Sequence, residues 1–124
     1  VTITDARAEL ETALTAGGLR VAPPGAGQIA APAVVVVGGE PWIQSAQLGA
    51  GRQTVVLEIV GIVGGASDPL TMDALETMAL AIVAALRPLR EWSAPVVHRP
   101  GRTEAAGAVY TSVRVGTSRI IDTL

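Results

Sequence analysis

Between Met72 and Leu89 the chain repeats apolar residues at three- and four-residue spacing: Leu75, Met78, Ile82, Leu86 and Leu89, widened by Met72, Ala79 and Val83. That spacing predicts a helix with a core-facing stripe. Asp68 suits its N-cap and Pro69 its first helical position, and Pro88 is expected to distort or end its last turn. Residues 79–86, Ala-Leu-Ala-Ile-Val-Ala-Ala-Leu, hold no polar position. A soluble surface helix keeps a polar face, so this one needs cover on nearly every side, from its own sheet, a neighbouring subunit, or both. An exposed Ala81 or Ala84 in an isolated subunit would mark that side as the subunit contact. If both are buried, the contact falls to loops and strand edges.

The same pattern places the other elements. Ile3, Ala6, Leu10, Ala13 and Leu14 form one stripe of an opening helix, with Thr4 as the expected N-cap and Gly17-Gly18 as its end. Leu19–Val21 reads as a short strand, and the Pro/Gly stretch 22–32 as a loop. Ala33–Val37 is a β-branched run expected to be buried on both faces, broken or bulged at Gly38-Gly39. Trp42–Leu48 alternates loosely, and Gly49-Ala50-Gly51 makes a turn. Gln53–Val63 is the longest strand, with Val55, Leu57, Ile59 and Val63 on one face and Val56, Glu58, Val60 and Ile62 on the other. Pro95–Arg99 reads as a strand and 100–107 as a loop. Val109–Val115 is a strand presenting Tyr110, Ser112 and Arg114 to solvent or a partner, and Ile120-Ile121 continue it or form a last one. The expected fold is a single α+β domain over 1–124. It has a mostly antiparallel sheet of about four to five strands, two helices on one face, and the order α-β-β-β-α-β-β.

Composition narrows the function. In 124 residues, nearly half of them hydrophobic, one domain with a real core fits. Cysteine is absent, which excludes disulfide and thiolate chemistry, and the formal charge is −2. All basic residues are Arg and they are scattered, unlike the footprint of a dedicated nucleic-acid binder. No apolar run reaches the length of a membrane span, and the N-terminus lacks the order of a signal peptide, so a protein that is not exported is expected.

The candidate chemistry is sparse. Gly25-Ala-Gly27-Gln-Ile-Ala30 has the letters of a dinucleotide fingerprint. It lacks the preceding strand and following helix that would aim amides at a pyrophosphate, so no cofactor is expected. His98 is the only histidine, and Ser93, Thr103 or Glu104 beside it show no spacing that makes a catalytic set. One His and no Cys leave no expected metal site. Neither nucleophile nor base stands out, and no enzymatic activity is expected.

Interface chemistry is better represented. Glu58 is a charge on an otherwise apolar strand face. It suits either a partly covered face or a salt bridge to an Arg across a subunit boundary. Arg52, Arg102 and Arg114 are placed where Arg pairing serves contacts, with ordinary solvated Arg as the alternative. Trp42 and Trp92 are either core fillers or interface anchors. Glu104 is a further charged candidate for a subunit or partner contact.

Several parts together resemble a known family. They are the opening helix Asp5-Ala-Arg-Ala-Glu-Leu-Glu-Thr-Ala-Leu14, the Pro/Gly loop before Ala33-Val-Val-Val-Val37, the strand Gln53–Val63 leading to the helix 68–89, and the closing Val109-Tyr-Thr-Ser-Val-Arg-Val115. In order, length and texture they resemble the tail terminator proteins of long-tailed bacteriophages, the lambda-type tail-tube capping family. The resemblance implies a structural virion protein of the phage neck, assembled in the host cytoplasm as a six-membered ring. Such a ring ends tail-tube polymerisation and joins the tail to the head-tail connector. Its partners would be copies of itself, the tail-tube protein and the connector or stopper protein, with genomic DNA passing through without sequence-specific binding. It implies no catalytic residue. The alternatives are another neck component, a stopper or head-completion protein, or a small non-enzymatic ligand-binding or regulatory α+β domain.

Overall fold

The computed structural model describes residues 2–23, 31–47, 51–65, 72–105 and 107–122. Along them run helix α1 (Ile3–Ala16), strands β1 (Ala33–Gln47) and β2 (Arg52–Gly65), helix α2 (Met72–Leu86), and strands β3 (Val96–Val97), β4 (Gly101–Ala105) and β5 (Ala108–Asp122). The fold is α+β with an antiparallel five-stranded sheet ordered β1-β2-β5-β3, in which β4 also pairs with β5. The element order is α-β-β-α-β-β-β. It departs from the expected order at two places, each with a local cause.

The first is β1, in which two expected strands run as one because Gly38-Gly39 bulges the strand and does not break it. Gly38 pairs with Leu57 and Ile43 with Val55, so Gly39–Trp42 bulge out opposite Val56 alone. Gly39 is needed there, and Gly38 sits in close contact. A Cβ on Gly39 would lie 2.6 Å from Val56 Cγ1, and one on Gly38 3.0 Å from the Trp42 ring. The second is β4, which falls in the expected loop 100–107. Arg-Thr-Glu carries no apolar alternation to reveal a strand, yet it pairs back on Ala108–Ser112 through a tight turn with Gly107 at φ +77°.

Helix α1 begins two residues earlier than its pattern suggested. Thr2, not Thr4, is the N-cap, because Asp5 stands three residues beyond it and the two cap each other. The Asp5 N–H donates to the Thr2 hydroxyl at 3.1 Å, and the Thr2 N–H donates to the Asp5 carboxylate at 3.2 Å. The other end closes at left-handed Gly18. Its N–H donates to the Thr15 carbonyl while the Leu19 N–H reaches Leu14, both at 3.0 Å. The expected cap of α2 at Asp68-Pro69, the turn residues Gly49-Ala50 and the Gly25–Ala30 stretch lie outside the described residues.

Both helices pack on one face of the sheet. Ala6, Leu10 and Leu14 of α1 and Met78, Ala79, Ile82, Ala85 and Leu86 of α2 share a core with Val34, Val36, Val55, Leu57, Ile59, Val113, Val115 and Ile121. Glycines set the close approaches. A Cβ on Gly61 would be 2.5 Å from Met78 Cγ, and one on Gly17 2.7 Å from Ala85 Cβ. Met72, expected to widen the buried stripe, is instead exposed. The opposite face carries a second cluster of Ala33, Val35, Val60 and Ile62, with Val37 and Tyr110 packed against it. Ser112, expected to face solvent or a partner, is buried and bonded to the Thr103 hydroxyl at 2.6 Å.

Candidate assembly surface

Turning α2 so that Met78 and Ile82 meet the sheet forces its other side outward, since residues about half a turn away cannot share their face. Leu80 is 69% exposed, Ala84 is exposed, and Ala81 and Val83 are half-buried. Thr77, Glu76, Asp73 and Arg87 complete this outer face, all exposed. A leucine presented so fully has no cover within the described residues. The requirement read from the apolar run is therefore met on one side only.

A second exposed apolar stretch lies at the margin of the sheet. Val96 and Val97 of β3 are 58% and 47% exposed, although both are fixed by pairing with Gly116 and Val115. Serine and threonine hydroxyls anchor the approach to this strand. The Ser93 N–H donates to the Ser118 carbonyl at 2.8 Å, the Ser93 hydroxyl accepts from the Ser118 N–H at 2.9 Å, and the Thr117 hydroxyl donates to the Ser93 carbonyl at 2.9 Å. Ile120 is also exposed, further along β5.

The interface candidates read from sequence separate on this frame. Trp42 is 52% exposed, folded back over Gly38 at the bulge. Trp92 is buried in the main core, where its indole N–H donates to the Glu9 carboxylate, so it is a core residue and not an anchor for a partner. Glu58 and Arg114 come together. Arg114 sits diagonally across the β2–β5 pair and donates to Glu58 at 3.1 Å, so Glu58 has an arginine partner within its own chain. Arg102 and Glu104 are exposed on β4, where alternation puts both opposite to Thr103. Arg52 is exposed at the start of β2 and lines a hollow with Glu91, Arg119 and Ile120.

One cluster escaped the sequence reading. Arg119, with its side chain 11% exposed, lies between Glu9 of α1 and Glu91 of the segment after α2. The signal was the alternation itself. Carried on from Val113 and Val115 through Thr117, it puts Arg119 on the helix-side face before Ile121, where a charge needs partners.

His98 is exposed, and its backbone N–H donates to the Arg114 carbonyl at 2.8 Å. The hydroxyls near it in sequence are engaged elsewhere, Ser93 with Ser118 and Thr103 with Ser112. Among the described residues no group of three or more His, Cys, Asp or Glu could hold a metal ion, and no helix is long and apolar enough to cross a membrane. An open, largely apolar groove of about 690 Å³ runs between the end of α1, the start of β1 and α2, past Leu19, Val63, Met78 and Ala81.

No protein-family model matches the chain, and no curated protein matches it in sequence.

Proposed function

We propose that this protein is a structural virion component, a tail terminator that assembles as a ring, six-membered by family resemblance, ends growth of the tail tube and joins the tail to the head-tail connector. The observation that carries the reading is the outward face of α2. A helix otherwise seated on the core presents Leu80 at 69% exposure beside exposed Ala84. Surface of this kind suits an assembly contact. The exposed Val96-Val97 margin supplies a second, different patch, and a ring needs unlike patches on each subunit. In this reading α2's outer face contributes to the contact between subunits, DNA passes through the lumen without sequence recognition, and the protein resides in the neck of the virion.

The test is growth of tail tubes in the presence of the purified chain. Tubes assembled from the cognate tail-tube protein should stop at a defined length with the chain bound at one end, and light scattering should show the mass of a capped complex. Tubes that elongate unchanged, with a chain that stays monomeric beside tube protein, would overturn the reading.

The groove beside Leu19 and Met78 favours one other reading, a domain that binds a small apolar ligand. A saturable heat of binding for such a ligand, abolished by Ala81→Trp, would support it over the terminator.

A further inference from the structure

Glu9 and Glu91 share Arg119 as an ion-pair partner within the chain, and Glu58 pairs with Arg114. Among the described residues the charges on the outer face of α2 have no such partner. Asp73, Glu76 and Arg87 are exposed, and no ion pair joins any of them to another described residue.

Their arrangement has a symmetry. Asp73 and Arg87 stand equally far from Leu80 along the chain, about two helical turns to either side, and all three fall within about 20° of one line along the helix. Arg87 is the first residue beyond the helix, in the turn that closes it, its N–H donating to the Ala84 carbonyl at 3.3 Å. Glu76 and Ala84 flank Leu80 roughly one turn away on the same face. Reading outward from Leu80, one direction leads to acid and the other to base.

Such a face is complementary to itself in only one orientation. With two copies of α2 antiparallel and their Leu80 side chains at the centre, Asp73 of each copy meets the partner's Arg87, about 10 Å from the midpoint. The parallel arrangement sets acid against acid and base against base. The antiparallel one also opposes the two helix dipoles favourably. Small side chains at Thr77, Ala81 and Ala84 leave room for the two backbones to approach.

We propose that the outer face of α2 pairs with the same face of a second copy, about a two-fold axis beside Leu80. The contact is isologous and small, so the dimer is weak and concentration-dependent. It goes beyond the ring reading. A ring joins unlike patches, so a subunit paired through α2 must part from its partner before α2 meets a ring neighbour. The two-fold pair is then the free, unassembled form.

The experiment uses the full chain without any tail protein. Because the chain has no cysteine, Leu80→Cys adds a single thiol at an exposed position. Two such thiols face each other only across a two-fold contact, and mild oxidation should convert most of the variant to a disulfide dimer. Thr12→Cys, on the exposed side of α1, should stay monomeric under the same treatment. In sedimentation velocity the unmodified chain should pass from monomer to dimer with rising concentration, and Leu80→Asp should remain monomeric with an unchanged circular-dichroism spectrum. Asp73→Arg and Arg87→Asp should each weaken the dimer roughly tenfold, and the two together should restore it. A chain that is monomeric at every concentration, a dimer that survives Leu80→Asp, or a Leu80→Cys variant that does not cross-link would overturn the pairing. A larger assembly indifferent to the double exchange would also overturn it, by placing α2 against an unlike surface, and would leave the ring reading standing.

Discussion

Arg119 on β5 holds both carboxylate oxygens of Glu9 on α1 through one guanidinium nitrogen, at 3.0 and 3.1 Å. Its other terminal nitrogen pairs with Glu91, and Glu9 also accepts from the Trp92 indole. One arginine thus ties the first helix and the segment after the second helix to the last strand. The arrangement ties α1 to the sheet at the edge of the shared core.

Arg119→Ala should therefore lower the unfolding free energy by about 2 kcal/mol. The figure stays modest because Glu91 is 71% exposed and water takes over much of what the arginine supplied. Urea denaturation followed by circular dichroism measures it. An Arg119→Lys variant should recover only part, since an ammonium cannot span two carboxylates as a planar guanidinium does.

The two helices touch where Gly17 meets Ala85. A Cβ at residue 17 would come within 2.7 Å of the Ala85 Cβ and 3.3 Å of its Cα, so the obstacle is a methyl fixed directly to the helix backbone and not the end of a flexible side chain. Gly17→Ala should destabilise the fold by about 2 kcal/mol. Adding Ala85→Gly should return part of that loss, despite glycine's own cost in a helix. A double-mutant cycle in urea would show the coupling, and strictly additive effects would place the strain elsewhere.

The sequence pattern carried the helices and the two long central strands because their apolar periods are set by one shared core. Leu10 and Leu14, Ile82 and Leu86, and Val55, Leu57 and Ile59 all point where their spacing said they would. It failed where pairing, not burial, makes the strand. Gly101–Ala105 is held by β5 and carries no apolar alternation, and Gly116 interrupts the visible period of β5 although its backbone pairs normally. The surface was legible only in outline. An apolar run shows that a helix has apolar residues all round, but which residue faces out depends on the rotation that Gly61 and Met78 impose. Trp92 could not be told from Trp42 because each stands at an element end, and only Glu9, far away in sequence, distinguishes them.

The opening cap gives a pH dependence with a definite sign. Hydrogen bonding from the Thr2 backbone N–H, and then from the Thr2 side chain, holds the Asp5 carboxyl below its ordinary value of 3.8. A carboxyl depressed on folding stabilises the folded state above its unfolded pKa, and that contribution is lost as pH falls through the lowered folded value. Asp5→Asn should therefore melt at a lower temperature than the parent at neutral pH. The gap should close as acid takes the solution below 3.8 and through the lowered value. Melting curves of both proteins from neutral pH into strong acid would show it, and a gap independent of pH would assign the cap's effect to Thr2 alone.

Leu80 and Ile82, two residues apart on α2, should separate folding from assembly. Ile82 is fully buried against the sheet, and Ile82→Ala should cost about 3 kcal/mol by leaving a cavity between α2 and β2. Leu80 is 69% exposed, and Leu80→Ser should change stability by less than about 0.5 kcal/mol. For association the order should reverse. Subunits with Ile82→Ala that remain folded keep the outer face intact and should still self-associate in light scattering, while Leu80→Ser should associate far less although it melts like the parent. If Leu80→Ser instead destabilises the fold as Ile82→Ala does, then Leu80 is covered from within its own chain, and the outer face of α2 loses its part in assembly.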